Sequence, residues 1–233
     1  PSVIGYGPNL TLKAGQVSRI GLLPPDVKAY EVATGGLREF RSDWSQTCNH
    51  AVSLSVRSSL RKKHFDVVEI ADSLMDEELH ETRVLMEIVC SSIQNHLYGA
   101  NAFAGKIQNF DYSVGPLQET CRRLGVGSLM LVYGYDEVFS PGRRQLLQTE
   151  HAVKSVRSGL MMLLTGVYYV PAPVRERSLL VMAVADSNGA IIWYDHRGRA
   201  QDDDLRRAAD ADAFVKEMTS RLPVNKVQLE DRK

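Results

Sequence analysis

The chain has 233 residues, 44% hydrophobic and 24% charged, with 28 lysines and arginines against 28 aspartates and glutamates. Such a balance suits one globular domain with a substantial core, and it excludes the one-signed field of a nucleic-acid or anionic-surface binder. No apolar run reaches the roughly 18–20 residues that a membrane-spanning helix needs.

Residues 1–16, with Gly5, Gly7, Pro8 and Gly15 and little periodicity, read as a tether or edge segment. Residues 17–223 read as a single α/β domain. Val17 to Pro24 (VSRIGLLP) forms a first strand closed by Pro24-Pro25, and Asp26 to Arg41 is either loop or a short hairpin around Thr34-Gly35-Gly36. Asp43 to Lys63 is an amphipathic helix, with Trp44, Cys48, Val52, Val56 and Leu60 at every fourth position and Ser42 or Asp43 available to cap it. Phe65 to Ile70 is a second strand. The spacing then predicts a long helix over 74–98, its apolar positions Met75, Leu79, Met86, Val89, Ile93 and Leu97 close to a heptad. Packing on the sheet is the plainer role for this helix, and a seam with a second subunit is the alternative.

Ala100 to Gly115 reads as a loop anchored by Phe103, Phe110 and Tyr112, and Pro116 opens a short helix that Gly125 stops. Ser128 to Asp136 (SLMLVYGYD) is a buried strand, followed by a polar turn at Ser140-Pro141-Gly142. A helix over 150–164 carries Val153, Val156, Leu160, Leu163 and Leu164, and 165–177 leads to a hairpin. In that hairpin Leu179–Ala185 and Ala190–Tyr194 flank Asp186-Ser187-Asn188-Gly189. The Asn-Gly pair marks a tight turn, and strands apolar at successive positions are covered on both faces. A last helix spans about 203–222 and ends at Pro223, with a charged tail over 224–233. The order predicts an α/β (α+β) domain in which a mixed sheet of about five strands is flanked by helices.

Little in the residues spells out a reaction. Cys48, Cys90 and Cys121 lack CxxC or Cys/His ligand spacing and read as buried thiols, with one disulfide as the alternative. His80 lies near Glu77 and Glu81 without an HExxH pattern, so an acidic helix start accounts for them and no metal is expected. Gly125-Val126-Gly127-Ser128 follows a helix and opens a strand, the reverse of a phosphate loop, and GxSxG is absent. Asp195 and His196 are adjacent on a strand and face opposite sides. No cofactor and no catalytic residue is expected. Arg143 and Arg144, Arg175 and Arg177, and Arg197 and Arg199 follow turns or strand ends, as solvated residues or as contacts for an anionic ligand.

Several segments together resemble the bacterial envelope-lipoprotein superfamily that includes CsgG, the amino-terminal domain of TolB and LpoB-type activators. They are RIGLLPP (Arg19 to Pro25), SLRKKHFDVVEI (Ser59 to Ile70), FDYSVGPLQETCRRLGVGSLMLVYGYD (Phe110 to Asp136) and VADSNGAIIWYDHRG (Val184 to Gly198). The likeness is closer still to small, poorly characterised outer-membrane lipoproteins of that group. The resemblance implies a TolB-N/CsgG-like fold and a non-enzymatic protein in the periplasm, tethered to the outer membrane by a lipid on a segment before Pro1. It implies action by contact with an envelope protein partner, in assembly or regulation of an envelope or secretion machine. No pore-forming hairpin is visible in the sequence. Contact surfaces expected from polarity are the 100–115 loop, the 139–144 turn and the exposed side of helix 74–98. The alternative is a small-ligand or glycan module built from Phe110, Tyr112, Arg143, Arg144 and Arg197.

Overall fold

The computed structural model describes residues 19–98, 103–165, 176–200 and 203–225. The expected tether and residues 226–233 of the expected tail lie outside them, as does most of the segment leading to the hairpin. Seven strands form one mixed sheet: β1 (Arg19–Leu22), β2 (Asp26–Val32), β3 (Arg38–Phe40), β4 (Asp66–Glu69), β5 (Ser128–Phe139), β6 (Arg177–Asp186) and β7 (Ile191–Arg199). Among the described residues six helices accompany it: α1 (Ser42–Lys62), α2 (Glu77–Tyr98), α3 (Ala104–Gln108), α4 (Gln118–Leu124), α5 (Pro141–Thr165) and α6 (Ala208–Thr219).

The long strand β5 is the spine. On one edge it pairs antiparallel with β6 from Ser128↔Asp186 to Glu137↔Arg177. On its other edge two strands lie end to end, β1 beside Ile20↔Ser128 to Leu22↔Met130 and β2 beside Asp26↔Tyr133 to Val32↔Phe139, both parallel to β5. Pro24 and Pro25 have no N–H for the ladder, so this ribbon breaks between them and resumes one residue out of step. That break, together with β2 and the three-residue β3, raises the expected count of about five strands to seven. Of the two readings for residues 26–41 the hairpin forms: β3 pairs antiparallel with β2, and the turn between them uses Gly36 at φ +87°. β3 is exposed throughout, so it has no apolar pattern to announce it. Where β2 runs past the reach of β3, α1 takes over. Asn49 Oδ1 accepts from the Val27 N–H at 2.6 Å and Ser45 Oγ from the Ala29 N–H at 2.9 Å, which accounts for Ser45 among the three buried serines of α1.

Helices cover both faces of the sheet. On one, Cys48, Val52, Val56 and Leu60 of α1 and Ala211, Phe214, Val215 and Met218 of α6 pack on Ile20, Met130, Val132, Leu180, Met182 and Val184. On the other, Leu79, Met86, Cys90 and Ile93 of α2 and Cys121 of α4 pack on Leu129, Leu131, Val181, Ala183 and Ala185. The alternation along β6 shows the expected strand buried on both sides. The heptad-like stripe of α2 is thus its core face.

The β6–β7 turn is longer than an Asn-Gly pair alone implies. Gly189 N–H bonds the Asp186 carbonyl at 2.8 Å, and Asp186 Oδ1 accepts from the Asn188 and Ala190 N–H groups at 2.9 and 3.0 Å. Gly189 alone has positive φ (+80°), and a Cβ there would lie 1.6 Å from the Gly115 carbonyl oxygen. Just beyond, the register slips between Val184↔Trp193 and Ala185↔Ile191. The bulge puts Ile192 and Trp193 on the same face, whereas Ile191 and Tyr194 join the other.

Other expected boundaries shift for local reasons. The polar turn at 140–142 is instead a helix start: Ser140 Oγ accepts from the Arg143 N–H at 3.2 Å and Pro141 takes the first helical position, so α5 begins nine residues before the expected 150. Val153 and Val156, two of its apolar positions, are 62% and 76% exposed. The long helix α2 starts at Glu77, after a 3-10 turn at Asp72–Leu74, with Asp76 Oδ1 accepting from the Leu79 N–H at 3.0 Å. Neither Ser42 nor Asp43 caps α1; Arg41 holds the cap position and its side chain pairs with Glu31 and Asp43. Part of the 100–115 loop is α3, and Ser113 bridges to Ala190. The last helix begins at Ala208 rather than 203, because 203–207 is pinned as a turn, described below. The tail is not free from residue 224: Asn225 is buried and its side-chain amide donates to the His64 carbonyl at 3.0 Å.

Candidate functional site

Buried charges gather at one end of the sheet, where β5 ends, β6 begins and β7 ends. Asp136, fully buried in β5, accepts from the Ser178 hydroxyl at 2.6 Å and from the Leu205 N–H at 2.9 Å. Burial pushes its carboxyl up to about 6, against the pull of those two donors. Beside it the 203–207 turn is locked by Asp204, which takes two side-chain bonds from Arg206 at 2.8 and 2.7 Å, and Arg206 stacks 3.7 Å over the Trp44 ring. Glu176, also buried, accepts from the Phe139 N–H and from Arg144, both at 2.9 Å, and so ties the start of α5 to the start of β6.

The end of β7 is clamped to α6. Glu217 bridges Arg197 and Arg199, Arg199 also meets Asp203 at 3.0 Å, and its guanidinium lies 4.3 Å from the Phe214 ring centre. Arg197 is buried and faces Asp195 at 4.0 Å; burial raises the Asp195 carboxyl to about 6, even with Arg197 and Arg221 acting the other way. His196 points to the other side of the sheet and stacks on Tyr194, and burial lowers its pKa. Asp195 and His196 are therefore separated by the strand, as their adjacency implies.

At the opposite end lies an aromatic corner. Phe110 and Tyr112 meet edge to face at 4.9 Å, Tyr112 Oη sits 3.0 Å from His96 Nδ1, and Lys106, paired with Asp111, approaches the Tyr112 ring at 5.1 Å. Tyr112 adjoins the β7 start, its carbonyl accepting from the Ile191 N–H. The five residues grouped as a ligand site do not converge. Phe110 and Tyr112 are together, but Arg143 and Arg144 follow the far end of β5, some 35 Å away at about 3.3 Å per strand residue. Arg197 is on the α6 face, consumed by Glu217 and Asp195. Arg143 donates to the Thr34 carbonyl at 3.1 Å. The buried acids Asp136 and Glu176, and the half-exposed Glu217 that clamps β7 to α6, were not singled out from the sequence; the aspartate that ends the apolar run SLMLVYGYD is the signal that could have found the first.

The three thiols are free and buried, which removes the disulfide alternative, and burial raises Cys48 and Cys90 to about 12 and Cys121 to about 11. Among the described residues no group of three or more His, Cys, Asp or Glu could hold a metal ion, and no helix is long and apolar enough to cross a membrane. Asp136 and Glu176 each hold backbone or an adjacent element, and Asp195 faces Arg197. Among the described residues, apolar side chains exposed on the outside include Val84, Leu85 and Ile88 on the outer side of α2, and Leu146, Val153 and Val156 on α5.

These features define a three-layer α/β domain whose charged interior serves the framework. No family model matches the chain, and no curated protein matches it. Among solved structures it is similar to the PelC dodecamer from Paraburkholderia phytofirmans, at 11% identity and a TM-score of 0.39 over 96% of this chain and 98% of that one. A point variant of the same protein gives 12% identity and a TM-score of 0.39 over the same shares. At that depth the likeness assigns nothing to this chain.

Proposed function

We propose that this is a non-enzymatic envelope protein of the CsgG, TolB amino-terminal and LpoB-type group. It is carried in the periplasm on a lipid anchor at the outer membrane, and it acts by docking to a protein partner in an assembly or secretion machine. The observation that carries the docking part is the outer stripe of α2. Val84, Leu85 and Ile88 are 53%, 47% and 56% exposed, on a helix whose opposite side already fills the core. Apolar residues gathered at helical spacing on a solvent face are characteristic of a contact surface. A rigid sheet backed by helices on both sides supports such a face without rearrangement.

The test is a photo-activatable residue placed at Val84 or Ile88 of the full-length protein in its native cell, with the adducts identified after fractionation. Adducts with envelope proteins, from a protein found in the outer-membrane fraction, are expected. A protein found in the cytosol, or adducts no more frequent than from an exposed position on α1 such as Leu54, would refute it.

A further inference from the structure

Among the described residues, α5 like α2 leaves an apolar stripe uncovered. Over 141–156 every described residue of α5 is exposed or half-exposed, and Leu146, Val153 and Val156 recur along one side at 38%, 62% and 76%. We propose that this stripe docks on the outer stripe of α2 in a second copy of the chain. The inference rests on the docking reading above and names the partner as the chain itself.

Charge selects that occupant. Helix α2 carries Glu77, Glu78, Glu81 and Glu87 against Arg83, a net of 1 − 4 = −3, whereas residues 141–156 carry Arg143, Arg144 and Lys154 against Glu150, a net of 3 − 1 = +2. Part of each set is neutralised at home: Glu78 by Arg123, Glu87 by Arg83, Arg144 by Glu176 and Lys154 by Glu150. Glu77 and Glu81 form no ion pair among the described residues, and Arg143, its Nε buried, meets the Thr34 carbonyl and the Phe139 ring but no carboxylate there. These uncompensated charges lie on the apolar stripes. Glu77, Glu81, Val84 and Ile88 are spaced 4, 3 and 4, and Arg143 precedes Leu146 by three as Glu81 precedes Val84. Laid parallel, the two helices put acid over base at one end and apolar side chains together beyond it. Two copies of α5, both basic, lack this match.

Such a contact uses different surfaces on the two copies, so it repeats from copy to copy and builds a ring or an open chain. Light scattering and sedimentation of the full chain over a concentration series should show mass rising in whole subunits. Ile88→Asp removes the α2 surface and Val156→Asp the α5 surface, with Val84→Asp and Val153→Asp as second choices; all four positions are exposed, and an unchanged Tm confirms the fold. Each single variant should be a monomer, and an equimolar mixture should stop at a 1:1 dimer, since one intact surface of each kind remains. Glu81→Lys should weaken association about tenfold and Arg143→Glu added to it should recover most of that. A parent monomeric at all concentrations overturns the inference, as do a mixture that stays monomeric, an Ile88→Asp chain that assembles normally, or a double charge swap without recovery. Envelope adducts from a monomeric chain would leave the docking reading standing; self-association without envelope adducts would do the reverse.

Discussion

Asp136 offers the sharpest check on the framework reading, through two substitutions that differ in what they keep. Its carboxyl rises from 3.8 to about 6 because burial penalises the charge more than Ser178 and Leu205 favour it. At 1.36 kcal/mol per unit, the ionised form costs the native state up to about 3 kcal/mol relative to the unfolded chain. The folded value is the higher one, so this stability is fully present below about pH 4 and is lost as pH rises through 6. Asp136→Asn keeps both contacts, its oxygen accepting from the Leu205 N–H and its amide donating to the Ser178 oxygen, and carries no charge. It should gain about 1–2 kcal/mol over the parent at pH 8, after allowing for weaker neutral hydrogen bonds, and the gain should vanish by pH 4. Asp136→Ala leaves the Leu205 N–H and Ser178 hydroxyl without their acceptor and should lose about 1–3 kcal/mol relative to Asp136→Asn at every pH. Urea unfolding of the three proteins between pH 4 and 8 reads all of this. An asparagine variant that is less stable than the parent at pH 8, with a parallel pH profile, would refute the assignment.

Three further outcomes follow from the same geometry. Gly189→Ala should lower Tm, combining about 1–2 kcal/mol of left-handed backbone strain with a Cβ 1.6 Å from the Gly115 oxygen; an unchanged Tm would mean that the turn is built otherwise. Glu217→Ala should cost about 1–3 kcal/mol in urea unfolding by stranding buried Arg197, and Glu217→Gln should recover part of it. Thiol reagent at pH 8 should leave Cys48, Cys90 and Cys121 unlabelled in the folded protein and label all three in urea; rapid labelling of the native state would contradict their burial.

Much of the fold is legible along the chain because period and turn chemistry are local. The fourth-residue repeat of α1, the apolar runs of β5 and β6, and Gly125 at the end of α4, with φ +65°, all appear in the structure near their expected places. β3 is three exposed residues held only by its pairing with β2, so nothing local marks it. The expected turn at Ser140-Pro141-Gly142 fails because those residue types serve a helix start as well as a turn, and the choice falls to the contacts around it. The ligand grouping fails for a reason of distance: Tyr112 and Arg143 flank opposite ends of β5, and a linear list of loop residues does not show which end each loop occupies.

Residue pattern alone determined that this chain makes an α/β sheet with a hairpin among helix-linked strands, since the hydrophobic period and the Asp-x-x-Gly turn act over a few residues. Tertiary structure decided the rest. It set β1 and β2 in line on one edge of β5, spent Asp136, Glu176 and Glu217 on holding segments to the sheet end, and left one stripe each of α2 and α5 without cover. Those outcomes depend on which surfaces meet across long stretches of chain. A helix with apolar residues on two sides does not itself say which side the core will take.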